Sequence, residues 1–329
     1  MKRVKLEGRC RVRIEDVPTP EPEPGHVLVA TAVSALCGSE LGAYRGDGVG
    51  NGNTGHEAVG TVAACGEGVD SLREGQRVGV SAIAGCGRCP ACEKGQTTWC
   101  GDFSFYGNMH AEAFPAAADA CFPLPDSVPW EAAVLLTGDG LGVPYHTAQK
   151  ISGDDIRTVA VFGAGPIGLG NVLLQSFLGR RVIAVDLSPE RLDLAARLGA
   201  DTVIDARETD AVQAVREASE GGVDEAIEAA GVPETAKQCF RAVRTAGTVV
   251  FNGEQPAVEL SPSEDFIRRD ITAVGSWFYH FAEIPAMLDL YRSGLPVERL
   301  VTDTFPLDEA AAAYEAFAAG KTGKVLLTP

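Results

Sequence analysis

The stretch TVAVFGAGPIGLGNVLLQSFLGRRVIAVD, residues 158–186, constrains the fold more than any other part of the 329-residue chain. Val159, Val161 and Phe162 form the short apolar run that a strand buried on both faces of a parallel sheet requires. Gly163, Gly165 and Gly168 follow at GxGxxG spacing, with Pro166 and Ile167 between the last two. The first glycine permits a tight turn, the second lets backbone approach a pyrophosphate, and the third lets the next helix lie close to the sheet. The start of that helix offers unpaired amides and the positive end of its dipole to the phosphates. A second apolar strand, 182–185, ends at Asp186, eighteen residues beyond Gly168. A carboxylate placed there accepts hydrogen bonds from a ribose diol and repels a 2′-phosphate, which favours NAD over NADP. Arg180, Arg181 and Arg191 lie close in sequence and are the basic partners a 2′-phosphate would need; Arg191 also joins the expected cofactor site.

Strand-like and helix-like segments alternate onward from this unit, with strands expected at 202–204, 223–228, 248–251 and 271–274. That rhythm is doubly wound α/β. Ala230 and Asn252 follow strand ends, where open parallel sheets hold ligands, and are expected to line the nicotinamide half of the groove. Loop filler is the alternative for both. Upstream, HVLVATAVS (26–34) alternates and is rich in β-branched residues, so a strand is expected to lead into Cys37. Another is expected at 58–64. A length of 329 residues accommodates two cores.

The net charge of −17 argues against a polyanion partner, so nucleic acid is not expected. No apolar run is long enough to span a bilayer. The first residues, MKRVKLEGRCRVRIE, alternate in charge, and a cytoplasmic location is expected on that ground. Nine cysteines then read as thiols or metal ligands before disulfides.

Four of these cysteines, Cys86, Cys89, Cys92 and Cys100, lie in CGRCPACEKGQTTWC. Two overlapping two-residue spacings and a fourth thiol eight residues on can close a tetrahedral shell around zinc. A closed shell leaves no position for substrate, so its role is structural. Cys37 and His56, nineteen residues apart, are by themselves compatible with a buried thiol and a satisfied core histidine. Ser39 two residues after Cys37, Glu57 directly after His56 and the four-cysteine segment turn attention to a second metal site.

With CGSE, GHE, the four-cysteine segment, GAGPIG and a terminal GKVLL in hand, the chain resembles the zinc-dependent medium-chain dehydrogenase/reductase family of alcohol and polyol dehydrogenases. The resemblance spans nearly the whole chain. It implies a GroES-like, β-rich catalytic domain at 1–144 and 288–329, with a Rossmann NAD-binding domain at 145–287. It places a catalytic zinc on Cys37 and His56. The third ligand, where it is a Glu, Cys or Asp, lies a fixed distance before a stretch like GVPYH; Asp139, seven residues before His146, holds that place. Glu57 is the alternative, a carboxylate beside the metal that joins or leaves its shell, and Asp139 could instead be a helix N-cap. Ser39 stands at the family's proton-relay position, and Leu41 and Gly42 stand where many relatives carry a histidine.

The expected reaction is reversible oxidation of an alcohol by NAD, on a polyol, cyclitol or sugar. A simple alcohol or formaldehyde-type adduct is the second choice of substrate. YRG at 44–46 resembles polyol-type relatives, and Arg45, Glu112, Tyr279 and His280 are candidate hydroxyl readers, with Trp277 beside them. The resemblance also implies a homo-oligomer, a dimer or tetramer. A non-catalytic, zinc-stabilised dinucleotide sensor is the reading from another class.

Overall fold

The computed structural model describes residues 1–151, 153 and 156–329. Among these, the chain divides into two compact units, Met1–Gly142 with Tyr279–Pro329, and Val143–Phe278.

The first unit is β-rich. β1 (Lys2–Gly8) and β2 (Arg11–Asp16) pair as an antiparallel hairpin. β3 (His26–Ala35) alternates β-branched and small residues and is buried at both ends. It pairs antiparallel with β4 (Ala58–Cys65), and β4 with β5 (Arg77–Val80). The short β6 (Ile83–Ala84) and β7 (Ser104–Phe105) pair across the cysteine-bearing segment. β8 (Ala113–Ala117) pairs with β3, and β9 (Cys121–Pro123) with β5.

The second unit carries a parallel sheet of β10 (Thr158–Phe162), β11 (Arg181–Asp186), β12 (Thr202–Asp205), β13 (Val223–Glu228), β14 (Val243–Phe251) and β15 (Thr272–Gly275). Its order is β12-β11-β10-β13-β14-β15, so the chain winds outward first on one side of β10 and then on the other. This is the doubly wound α/β arrangement, with the order reversing between β10 and β13. Its core joins Phe162, Ile183, Val185, Phe240 and Val249, all buried.

The chain then returns to the first unit. β16 (Val301–Pro306) and β17 (Lys324–Thr328) run parallel, and β17 pairs antiparallel with β3, Ala35 opposite Leu326. Two features of register build the site. Ser34 lies opposite Ala58, so Cys37 beyond the end of β3 meets His56 and Glu57 just before β4. The Leu36 amide donates to the Val325 carbonyl at 2.9 Å, which sets Lys324 beside the same corner.

The units divide at 142/143 and 278/279, whereas the sequence placed these points at 144/145 and 287/288. The difference at the second point lies in Tyr279, which is fully buried in the first unit, and in the helix Ile284–Arg292. That helix buries Ile284, Met287 and Leu288. Its apolar spacing reads equally well as cover for a parallel sheet.

Candidate functional site

Cys37, His56, Glu57 and Asp139 bring one potential ligand atom each to within 4.8 Å of one another, and all four residues are buried. Asp139 opens the helix Asp139–Lys150. Its Oδ2 lies 3.1 Å from His56 Nε2 and 3.6 Å from Cys37 Sγ, so the side chain is turned toward the cluster. The helix start is served instead by Glu57, whose Oε2 accepts from the Gly140 amide at 3.3 Å. The other oxygen of Glu57 accepts from Lys324 Nζ, and neither side chain of that pair is exposed. His56 Nδ1 lies 2.9 Å from the Thr54 carbonyl, an acceptor that fixes the ring and leaves Nε2 aimed at the cluster.

The electrostatics agree with a cation-seeking cluster. Burial opposes charge on His56, but Cys37 and Asp139 raise its pKa well above the ordinary value. Burial likewise works against the Asp139 carboxylate, and His56, by hydrogen bond and charge, nonetheless holds its pKa low. Glu57 is raised by burial and by Asp139, against the pull of Lys324. Zinc fits these donors. Thiolate, imidazole and carboxylate are ligands it accepts at about 2.0–2.3 Å, and Asp139 Oδ1 is buried with no hydrogen-bond partner. Both oxygens of Glu57 are engaged, whereas among the described residues Asp139 hydrogen-bonds through Oδ2 to Cys37 and His56 and has Oδ1 unpaired.

Ser39 is exposed on the 3-10 turn Gly38–Glu40, directly after Cys37. The half-exposed Phe105 on β7 stands with its ring centroid 5.5 Å from that of His56. The four-cysteine segment gathers as a second cluster, its ligand atoms again within 4.8 Å of one another. Cys89 and Cys92 sulfurs lie 3.5 Å apart, and the amides of Cys86 and Asp102 donate to Cys100 Sγ at 3.3 and 3.4 Å. All nine cysteines are free of disulfides. A hydrogen bond from the Arg88 backbone leads the effects that lower the Cys86 thiol to about 7, while burial pushes Cys92 up to about 12.

In the second unit, Gly163 has φ +96° and Gly165 caps the helix Pro166–Phe177. A Cβ on Gly168 would sit 1.8 Å from the Gly163 carbonyl, so only glycine lets this helix approach the turn. Ile167 is half-buried on the helix's first turn. Asp186 at the end of β11 accepts from the Ala164 amide at 2.6 Å and from those of Leu187 and Ser188 at 2.8 Å. Arg191 stands beside the turn, with its buried Nε unpartnered and a guanidinium nitrogen 3.9 Å from where a Gly165 Cβ would lie. Burial lowers its pKa, against the attraction of Asp186. Ala230 is exposed after β13, and its amide donates to Glu228 Oε1 at 2.9 Å. The Asn252 side-chain amide is turned into a polar knot with Thr147, Asn171 and the Ser276 carbonyl at 2.9–3.2 Å, and its backbone amide donates to the Glu228 carbonyl at 2.8 Å.

All four suggested hydroxyl readers make hydrogen bonds within the chain. Tyr279 is fully buried and donates to the Thr137 carbonyl, two residues before Asp139. His280 is buried with Nδ1 2.7 Å from Thr98 Oγ1, and Glu112 accepts from the Lys2 amide at 2.7 Å in the N-terminal strand register. Arg45 is exposed and donates to the Ala318 carbonyl at 3.0 Å. Trp277 is exposed on the second unit. Sequence reasoning gave no role to Glu40, His110, Tyr314 or Lys324, four buried polar residues around Cys37 and Glu57. The sequence signals for Lys324 are its place in the terminal GKVLL and a charge opening an otherwise apolar strand.

Comparison with known proteins bears on the family and the fold. The family model for an alcohol dehydrogenase GroES-like domain matches residues 23–126, and that for a zinc-binding dehydrogenase matches residues 166–293. Sorbitol dehydrogenase of Bacillus subtilis is 30% identical over 96% of this chain and 93% of its own length. Among solved structures, alcohol dehydrogenase TADH from Thermus sp. ATN1 superposes with a TM-score of 0.88 at 31% identity, covering 100% of this chain and 99% of that one. Galactitol-1-phosphate dehydrogenase from Escherichia coli gives 0.88 at 28% identity over the whole of both chains.

Proposed function

The chain belongs to the zinc-dependent medium-chain dehydrogenase/reductase family, and from that premise we propose that this dehydrogenase oxidises a polyol or sugar alcohol with NAD at the Cys37, His56 and Asp139 cluster. The observation that carries the reading is that cluster: a thiol, an imidazole and a carboxylate converge in a buried corner, and the carboxylate has an oxygen to spare. A zinc ion held there supplies Lewis acidity that lowers the pKa of an alcohol, and NAD supplies the hydride acceptor. Cys37, His56 and Asp139 are the ligands we assign. Glu57, tethered by Lys324 and the Gly140 amide, would serve as the labile carboxylate of the site. Exposed Ser39 takes the substrate's hydroxyl proton and passes it to water, since Leu41 and Gly42 offer no further acceptor side chain. Phe105 forms an apolar wall against the substrate's carbon side.

Cys86, Cys89, Cys92 and Cys100 hold a second, structural zinc, for a total of two per chain. Gly163, Gly165, Pro166, Ile167 and Gly168 cradle the pyrophosphate, with Arg191 beside it. Asp186 takes the ribose diol, and Ala230 and Asn252 flank the nicotinamide. Among the described residues no helix is long and apolar enough to cross a membrane. A homo-oligomer in the cytoplasm completes the proposal.

The polyol preference is supported by the names of two relatives, a sorbitol and a galactitol-1-phosphate dehydrogenase. It is tested by following reduced nicotinamide across polyols, cyclitols, sugars and short alcohols. Removing one hydroxyl from the best substrate should cost far more than removing a methylene, because buried polar partners are then left unpaired. Equal rates on straight-chain alcohols and polyols would remove the polyol reading.

A further inference from the structure

Glu40, three residues after Cys37, is fully buried, and its carboxylate is the meeting point of three donors. Oε1 accepts from the Cys37 amide at 2.8 Å. His110 Nε2 lies 3.2 Å from Oε1 and 3.0 Å from Oε2, and the Tyr314 hydroxyl donates to Oε2. His110 is itself held on every side. Its Nδ1 lies 2.8 Å from Ser34 Oγ, its amide donates to Asn53 Oδ1 at 3.3 Å, and Asn53 Nδ2 donates back to its carbonyl at 3.2 Å. The ring packs flush on Gly55, where an added Cβ would lie 2.3 Å from Cδ2, so the same imidazole fixes the backbone just before His56. Tyr314 comes from the helix Ala310–Ala318, and its ring stacks on Tyr44 at 5.4 Å between centroids. Three separate segments thus converge on one carboxylate, and Asn53 Oδ1 extends the chain of bonds to the Gly55 amide at 3.0 Å.

A buried carboxylate persists only where donors satisfy it, and a network in low dielectric is stiff when every member is paired. Here the stiffness is delivered to two places, the amide of Cys37 and the turn before His56. We propose that His110 is a positioning residue of the metal centre, which through Glu40 and Gly55 holds Cys37 and His56 at the separation a zinc ion requires. Tyr314 completes the clamp by pinning the second oxygen of Glu40. The inference rests on the metal-centre reading above.

The test uses the full-length, zinc-loaded protein and measures zinc release to an excess of chelating dye, with thermal stability alongside. Cys37→Ser identifies which release phase belongs to this centre, because that phase disappears in it. His110→Phe should speed the Cys37-dependent phase about tenfold or more, the usual loss when an outer partner of a ligand is removed, and leave the four-cysteine phase unchanged. Tyr314→Phe, which deletes only one hydroxyl, should move the same phase in the same direction by less. It carries the test should His110→Phe not fold. A lowered melting temperature with an unchanged Cys37-dependent phase in the folded variants would overturn the proposal, making the network purely structural. A wild type without any Cys37-dependent phase would overturn the metal-centre reading itself.

Discussion

Lys324, at the start of the last strand, ends its side chain against Glu57, and neither group has any exposed surface. The strand that closes the first unit therefore sets a cation against the Glu57 carboxylate of the Cys37, His56, Glu57 and Asp139 cluster. Its ammonium also lies 3.4 Å from the Leu36 carbonyl, one residue before Cys37. Lys324→Met should strand the Glu57 charge and destabilise the protein by about 3–5 kcal/mol, the range for breaking a buried pair from one side. Adding Glu57→Gln should recover much of that loss. Denaturant titration of both variants checks it, and additive losses in the double variant would show that the pair is not coupled.

The proposed structural role of Cys86, Cys89, Cys92 and Cys100 makes a different prediction. A closed thiolate shell contributes its binding energy directly to folding. Cys86→Ser should lower the melting temperature and remove one zinc, while Cys37→Ser should leave the melting temperature much closer to that of the wild type. Calorimetry of the two variants side by side decides it. Equal stability losses would remove the distinction between a structural and a catalytic site.

The dinucleotide turn, the four-cysteine segment and the alternation of strands are legible in the sequence because each is local. Spacing alone carries them. The network around Glu40 is not, since His110 and Tyr314 are 70 and 274 residues away from it in sequence. The burial of Tyr279 and His280 was not legible for a related reason. A short polar-aromatic run does not say which face the chain will bury, and here Tyr279 is used to brace the turn that carries Asp139. Asn252 lies at the strand end where it was expected, but a buried amide must pair, and Thr147 and Asn171 were at hand.

Glu225 on β13 provides a pH test away from the candidate site. It is buried, its Oε2 has no partner, and burial raises its pKa to about 8. A folded pKa above the unfolded value of about 4.3 means that its contribution is fully present below that value and is lost as pH rises through about 8. Glu225→Gln should match the wild-type melting temperature near pH 4. Its advantage should grow up to about pH 8 and level off above. A difference independent of pH would contradict this.

The proposed preference for NAD rests on Asp186, whose carboxylate is fixed by three backbone amides. Asp186→Asn should lower kcat/KM for NAD by about 10- to 100-fold, the worth of charged hydrogen bonds to the ribose, and should narrow the gap to NADP. Specificity constants for both cofactors give the answer. A wild type that prefers NADP would contradict the assignment.

The central claim is that Cys37, His56 and Asp139 hold the zinc at which the alcohol is oxidised. Zinc content per chain, measured on the same preparations as turnover, tests it most directly. The wild type should carry two zinc ions and turn over; Cys37→Ser and Asp139→Ala should each carry one, bind NAD, and be inactive. Full turnover by Cys37→Ser with a single zinc per chain would place the chemistry elsewhere.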